Sequence, residues 1–312
     1  MPLDPQAKAF LEQMEQAGAP TLEQLSVEEN RATMHGYIPL AGPPEEVANV
    51  ENVSIPVDGG EIGLRIYTPV GNGPFPVFVY FHGGGWVVGD LDVVDPTMRA
   101  VTNASSCLVV SVDYRMAPEY PFPVAPEDCY TATNWVAQNI ATYHGDPSNI
   151  AVGGDSAGGN LAAVVSLLAK ERGGPAISYQ ILVYPATDFS FDTESHRENG
   201  EGYLLTKAAM EWFANHYIQE EDKTSPLAAP LRAADVSGLP PALVITAEFD
   251  PLRDEGEAYA KKLQDAGVQV ELTRYNGMIH GFFWMSGIME QGRKAIEQVS
   301  NTLKNNAAKT NV

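Results

Sequence analysis

Asn149-Ile150-Ala151-Val152-Gly153-Gly154-Asp155-Ser156-Ala157-Gly158 decides how this chain is read. A short apolar, strand-like run (149–153) leads into a helical segment, Ala157 to Arg172, with Leu161, Val165 and Leu168 on one face. Between them stands the pattern Gly-x-Ser-x-Gly. Its physical form is a sharp strand-to-helix turn, in which two glycines give room for crowded backbone and the Ser156 hydroxyl is lifted into the open. The unpaired N–H groups of the helix N-terminus favour negative charge that develops beside it. Glycine and serine are common, so the pentapeptide gains its weight from partners elsewhere in the chain.

Composition narrows the class. With 312 residues, one large domain with an appendage is as natural as two domains. Forty acidic residues against 19 basic ones give a formal charge of −21, which repels nucleic acid and anionic membrane surfaces. No run of about 18 apolar residues offers a membrane span. The N-terminus lacks a basic region followed by an apolar core, so a cytoplasmic setting is expected. Cys107 and Cys129 have no metal-site spacing and read as buried free thiols.

Outward from the elbow, apolar runs at 77–81, 108–112, 179–184, 242–247 and 268–275 read as further strands. Helical patterns lie at 96–105, 124–141 and 252–266, and a closing helix at 287–304. This alternation implies a mostly parallel sheet covered by helices on both faces. Two strands at 50–57 and 62–68, joined by Asp58-Gly59-Gly60, form an antiparallel hairpin in front of it. Two segments break the rhythm. The first 45 residues hold an amphipathic helix at 5–16 and a shorter one at 22–34 after a Thr21 cap. Nearly sixty residues between the strands at 179–184 and 242–247 exceed what a crossover needs. That stretch has one clear helix, at 206–218, and reads as an insertion over the sheet edge.

Open sheets of this kind place their ligands at the C-terminal ends of the strands, and four candidates fall there. His82-Gly83-Gly84-Gly85-Trp86 follows the strand at 77–81, and three glycines suit a loop whose N–H groups point at an oxyanion. A phosphate loop would need Gly-x-Gly-x-x-Gly or a Gly-Lys-Ser/Thr ending, and neither is present. Ser156 is the second candidate. Asp250 is the third, preferred over Glu248, which belongs to the strand end, and Asp254, which falls inside the next helix. The fourth is His280, in the loop after the last strand. It completes the order Ser156, Asp250, His280, the chain order of α/β-hydrolase triads. His35, His144, His196 and His216 read as surface or satisfied residues, and His82 as a structural brace of the glycine loop.

His82-Gly83-Gly84-Gly85-Trp86, Gly154-Asp155-Ser156-Ala157-Gly158-Gly159-Asn160, Asp113 to Glu119, Asp250 to Asp254 and His280-Gly281-Phe282 stand in that order along the chain. Together they closely resemble the bacterial hormone-sensitive-lipase-like carboxylesterases of the α/β-hydrolase superfamily. The resemblance implies an α/β-hydrolase core at 46–187 and 226–312, under a helical cap built from 1–45 and an insertion at 188–225. It implies an oxyanion hole of the amides of Gly84, Gly85 and Ala157, with Gly83 shaping the same turn as a further candidate. Short- or medium-chain carboxylic esters would be hydrolysed through an acyl-enzyme, with no metal or organic cofactor, by a monomer or homodimer. Trp86, Met210, Trp212 and Phe213 are the candidates for substrate contact. Amide or lactone hydrolysis by the same triad is an alternative. So is a non-catalytic small-molecule receptor on the same fold, although the presence of His280 argues against it.

Overall fold

The computed structural model describes residues 1–310. The turn Asp58-Gly59 closes an antiparallel hairpin of β1 (Asn49–Val57) and β2 (Gly60–Thr68), with Val57 opposite Gly60. After it come β3 (Phe75–Phe81), β4 (Leu108–Asp113), β5 (Gly145–Asp155), β6 (Tyr179–Val183), β7 (Ala242–Phe249) and β8 (Val270–Ile279). The described strands form one sheet in the order β1-β2-β4-β3-β5-β6-β7-β8. β2 joins β4 antiparallel, and every pairing from β4 onward to β8 is parallel.

The helices are α1 (Pro5–Ala17), α2 (Val27–His35), α3 (Leu91–Ser105), α4 (Val124–Asn139), α5 (Ala157–Arg172), α6 (Glu194–Asn199), α7 (Lys207–Tyr217), α8 (Arg253–Asp265) and α9 (Glu290–Thr310). Along β3, Val77, Val79 and Phe81 enter a core shared with α4, α5 and α8, whereas Phe78 and Tyr80 enter a second core shared with α3 and α9. Both faces of each central strand are therefore covered, which is why these strands read as nearly unbroken apolar runs. Cys107 and Cys129 are buried free thiols.

Three helix starts differ from the sequence expectation, two of them for a capping reason. The helix expected from 96 begins at Leu91, because the Asp90 carboxylate accepts the amides of Asp92 and Val93 at 2.9 Å. The single helix expected over 22–34 is split into a 3-10 turn (Leu22–Gln24) and α2. Ser26 caps α2: it accepts the Glu29 amide at 3.2 Å, while Glu29 accepts the Ser26 amide at 2.8 Å. The closing helix begins at Glu290 instead of 287. One helix, α6, was not anticipated; it lies with α7 in the long segment between β6 and β7. α7 meets the turn Leu22–Gln24 of the N-terminal segment. No described helix is long and apolar enough to cross a membrane.

Candidate active site

Ser156 stands between the last residue of β5 and the first of α5, with φ 56° and ψ −118°. A non-glycine residue in that region is strained and persists only where its surroundings fix it. Here they do. The Ser156 amide donates to the Val183 carbonyl at 2.9 Å, and its carbonyl accepts the amides of Asn160 (3.0 Å) and Ala186 (3.3 Å). The flanking glycines follow from the pairing of β3 with β5, which brings Phe81 beside Gly154. A methyl group at Gly154 or Gly158 would collide with the Phe81 carbonyl. Gly158→Ala should therefore cost about 1–3 kcal/mol of stability, read as a lower urea midpoint with unchanged slope.

The other candidates arrive by the same device, each directly after a strand. Asp250 follows β7 and His280 follows β8. Ser156 Oγ lies 2.9 Å from His280 Nε2, and His280 Nδ1 lies 2.7 Å from Asp250 Oδ2. Asp250 is fully buried, and its second oxygen accepts the Leu252 amide at 2.9 Å. An ionised carboxylate only accepts, so the ring proton sits on Nδ1 and leaves the Nε2 lone pair facing the serine hydroxyl. Tyr184 walls the imidazole, with ring centres 4.5 Å apart. The rivals are engaged elsewhere. Asp254 accepts from Arg253 Nε (2.8 Å) and the Ser195 amide (2.7 Å), and Glu248 accepts the Gly277 amide (2.7 Å).

The glycine loop follows β3. Gly83 donates its amide to Asp155 Oδ1 at 2.8 Å, beside the Tyr80 hydroxyl at 2.6 Å, so this amide is not free for an oxyanion. Burial pushes the Asp155 carboxyl above its usual range, against these two donors, which favour its ionised form. Gly84 has φ 116°, a conformation open to glycine. Its carbonyl accepts the amides of Val87 and Val88, which tightens the turn. Among the described residues no acceptor takes the amides of Gly84, Gly85 or Ala157. His82 Nδ1 meets the Gly83 carbonyl at 2.7 Å, and its ring stacks on Tyr114, whose hydroxyl donates to the His82 carbonyl at 2.8 Å.

Beside Ser156 lies a cleft with a largely apolar wall. Of the four expected contacts, Trp86, Met210 and Phe213 line it. Trp212 does not; it packs on Phe213 and on the His216 ring. Phe189, Phe191, Leu205 and Leu252 also line the cavity and were not anticipated. The spacing of Phe189 and Phe191 just beyond a strand end was the one signal that pointed to them. Trp86 is sandwiched between Tyr217 (4.4 Å, 3°) and Phe189 (5.5 Å, 29°). The Phe213 ring lies so close to Gly85 that a methyl group there would strike it. No group of His, Cys, Asp and Glu among the described residues is arranged to hold a metal ion.

A family model for the alpha/beta hydrolase fold matches residues 78–284. A carboxylic ester hydrolase of Mycobacterium tuberculosis, LipN, is 45% identical over 260 residues, spanning 81% of this chain and 69% of that protein. An arylesterase of Saccharolobus solfataricus is 37% identical over 284 residues, 90% of this chain and 92% of that protein. Among solved structures, a hyperthermophilic esterase from the archaeon Pyrobaculum calidifontis aligns with a TM-score of 0.94 at 43% identity, covering 98% of this chain and 99% of that chain. Sheet order, elbow and relatives agree: the chain belongs to the hormone-sensitive-lipase-like family of the α/β-hydrolase fold.

Proposed function

We propose that this chain is a serine carboxylesterase that hydrolyses short- to medium-chain esters through an acyl-enzyme on Ser156. The supporting observation is the unbroken relay from Asp250 to His280 to Ser156, at 2.7 and 2.9 Å, opening on an apolar cavity beside three unoccupied amides. In this reading His280 Nε2 takes the hydroxyl proton as Ser156 Oγ attacks the ester carbonyl carbon. The carbonyl oxygen becomes an oxyanion held by the amides of Gly84, Gly85 and Ala157, each worth on the order of 3 kcal/mol of barrier. The imidazolium then protonates the departing alcohol, and Asp250 stabilises it while it is charged. A water, deprotonated by the same ring, attacks the acyl-serine carbonyl; as the second oxyanion collapses, the imidazolium returns its proton to the departing Ser156 Oγ and the acid is freed.

The substrate class follows from the cavity wall. Trp86, Phe189, Met210 and Phe213 offer apolar contact to an acyl chain and no cation for a charged one. A nitrophenyl ester series should peak at butyryl or hexanoyl and fall steeply by palmitoyl. Faster turnover of palmitoyl than butyryl ester would overturn the substrate class. Failure of an organophosphate to modify Ser156 stoichiometrically would overturn the mechanism.

A further inference from the structure

Two buried titratable side chains take no part in this chemistry, yet they stand between the cavity wall and the turn that carries Asp250. Glu255, in the first turn of α8, is 1% exposed. Its Oε1 accepts the backbone amides of Thr187 (2.6 Å) and Asp188 (3.2 Å), and its carbonyl accepts the Thr187 hydroxyl (2.9 Å). The chain then runs directly into the wall, since Asp188, Phe189 and Phe191 line the cavity, as does Leu252. From the other side α6 is fastened to the same segment. Ser195 Oγ donates to the Pro251 carbonyl (2.6 Å), and Asn199 Nδ2 reaches the carbonyls of Glu248 and Asp250 at 3.3 Å each. Closing this ring of contacts, Glu255 Oε2 faces His196 Nε2 at 3.5 Å, both atoms buried and without a closer partner. His196 Nδ1 meets Thr193 Oγ1 at 2.5 Å, and its ring packs on Phe191.

We infer that Glu255 is a positioning residue: it ties the acyl-cavity wall at 187–191 to the turn holding Asp250, with His196 as its buried counterpart. The inference rests on the reading of the cavity as the acyl site. Removing the carboxyl would strand two buried amides, which are costly to leave unpaired, and would let the wall relax away from α8. A glutamine keeps the acceptor and the volume.

Charge makes the tie sensitive to pH. Glu255 is faced by Asp188, Asp250 and His196, and His196 by Asp192, Asp250, Asp254, Lys207 and Glu255. Burial pushes the Glu255 carboxyl up to about 8, against the two amides that favour its ionised form, and holds the His196 imidazole below its usual range. At neutral pH this favours the protonated carboxyl. Above about pH 8 an anion appears beside Asp188 and Asp250. The folded chain thus binds this proton more tightly than the unfolded one, so stability falls as pH rises from the ordinary glutamate range to about 8.

The test compares the full chain with Glu255→Gln and Glu255→Ala, using nitrophenyl acetate and hexanoate across neutral and alkaline pH. For Glu255→Gln, KM at neutral pH should stay within about twofold of the parent. In the parent, KM for the hexanoyl ester should rise above about pH 8; in Glu255→Gln that rise should be absent, and thermal melts should lose part of their pH dependence. Glu255→Ala should raise KM for the hexanoyl ester on the order of tenfold and the acetyl ester much less, with the phosphonate-titratable fraction of Ser156 unchanged. Equal losses in the two variants, or an unaltered acyl preference in Glu255→Ala, would overturn the assignment. Should the alanine variant not fold, the glutamine variant decides alone, and an alkaline KM rise identical to the parent's overturns it. If the parent itself leaves Ser156 unmodified by the phosphonate, the esterase reading is what fails, and this is visible before any variant is compared.

Discussion

Ser156→Ala should lower kcat for nitrophenyl butyrate by about 10⁶-fold and move KM by less than about threefold. The size follows from what the substitution spares. Alanine removes one oxygen and leaves the His280–Asp250 contact at 2.7 Å, the cavity wall and the amides of Gly84, Gly85 and Ala157 in place. Those amides and the binding of substrate can still leave a rate about 10³-fold above the uncatalysed one. Stability should change by less than about 1 kcal/mol, because the strain at φ 56° resides in the backbone and one partly exposed hydrogen bond is lost. Steady-state kinetics with a parallel thermal melt separates the two effects. A loss below a hundredfold in a folded variant would place the nucleophile elsewhere.

The elbow was legible because its demands are local. Two glycines are required where β3 passes over the start of α5, and a serine between them leaves a pattern that survives in five residues. The proposed partners of Ser156 were legible because parallel strands deliver side chains to one edge, so the residues that follow β7 and β8 fall near the elbow. What the sequence concealed depended on distant partners. Gly83, Gly84 and Gly85 look alike; only the Asp155 carboxylate, brought in by β5, distinguishes the occupied amide from the free ones. α6 has no apolar periodicity because polar contacts of Ser195 and Asn199 fasten it to the Asp250 turn, and a hydrophobic pattern cannot register those. Trp212 and Phe213 are neighbours in α7, yet adjacent helix positions diverge by about 100°. Phe213 shares the cavity face with Met210, three residues before it, and Trp212 pairs with His216, four residues after it. Both aromatic residues look equally suited until the helix is docked.

Asp250→Asn should lower kcat by about 10⁴-fold, a larger loss than removing a single charge from a solvent-exposed pair could give. The carboxylate is fully buried, and Oδ2 accepts the proton on His280 Nδ1, which leaves Nε2 free to take one from Ser156. The Leu252 amide already donates to Oδ1, so the carboxamide oxygen of asparagine belongs there. Its NH₂ group then faces Nδ1 and requires that nitrogen as an acceptor. The ring responds by carrying its proton on Nε2, the tautomer that cannot serve as a base toward the serine. The loss is one of proton placement, with heavy-atom positions kept, so a crystal structure of the variant should superpose on the parent. The same substitution at the neighbouring acids gives the control. Asp254→Asn and Glu248→Gln alter contacts to Arg253, Ser195 and Gly277 and touch no ring nitrogen, so each should cost less than about tenfold. Were Asp254→Asn to match the Asp250→Asn loss, the acid that sets the His280 tautomer would have to be reassigned.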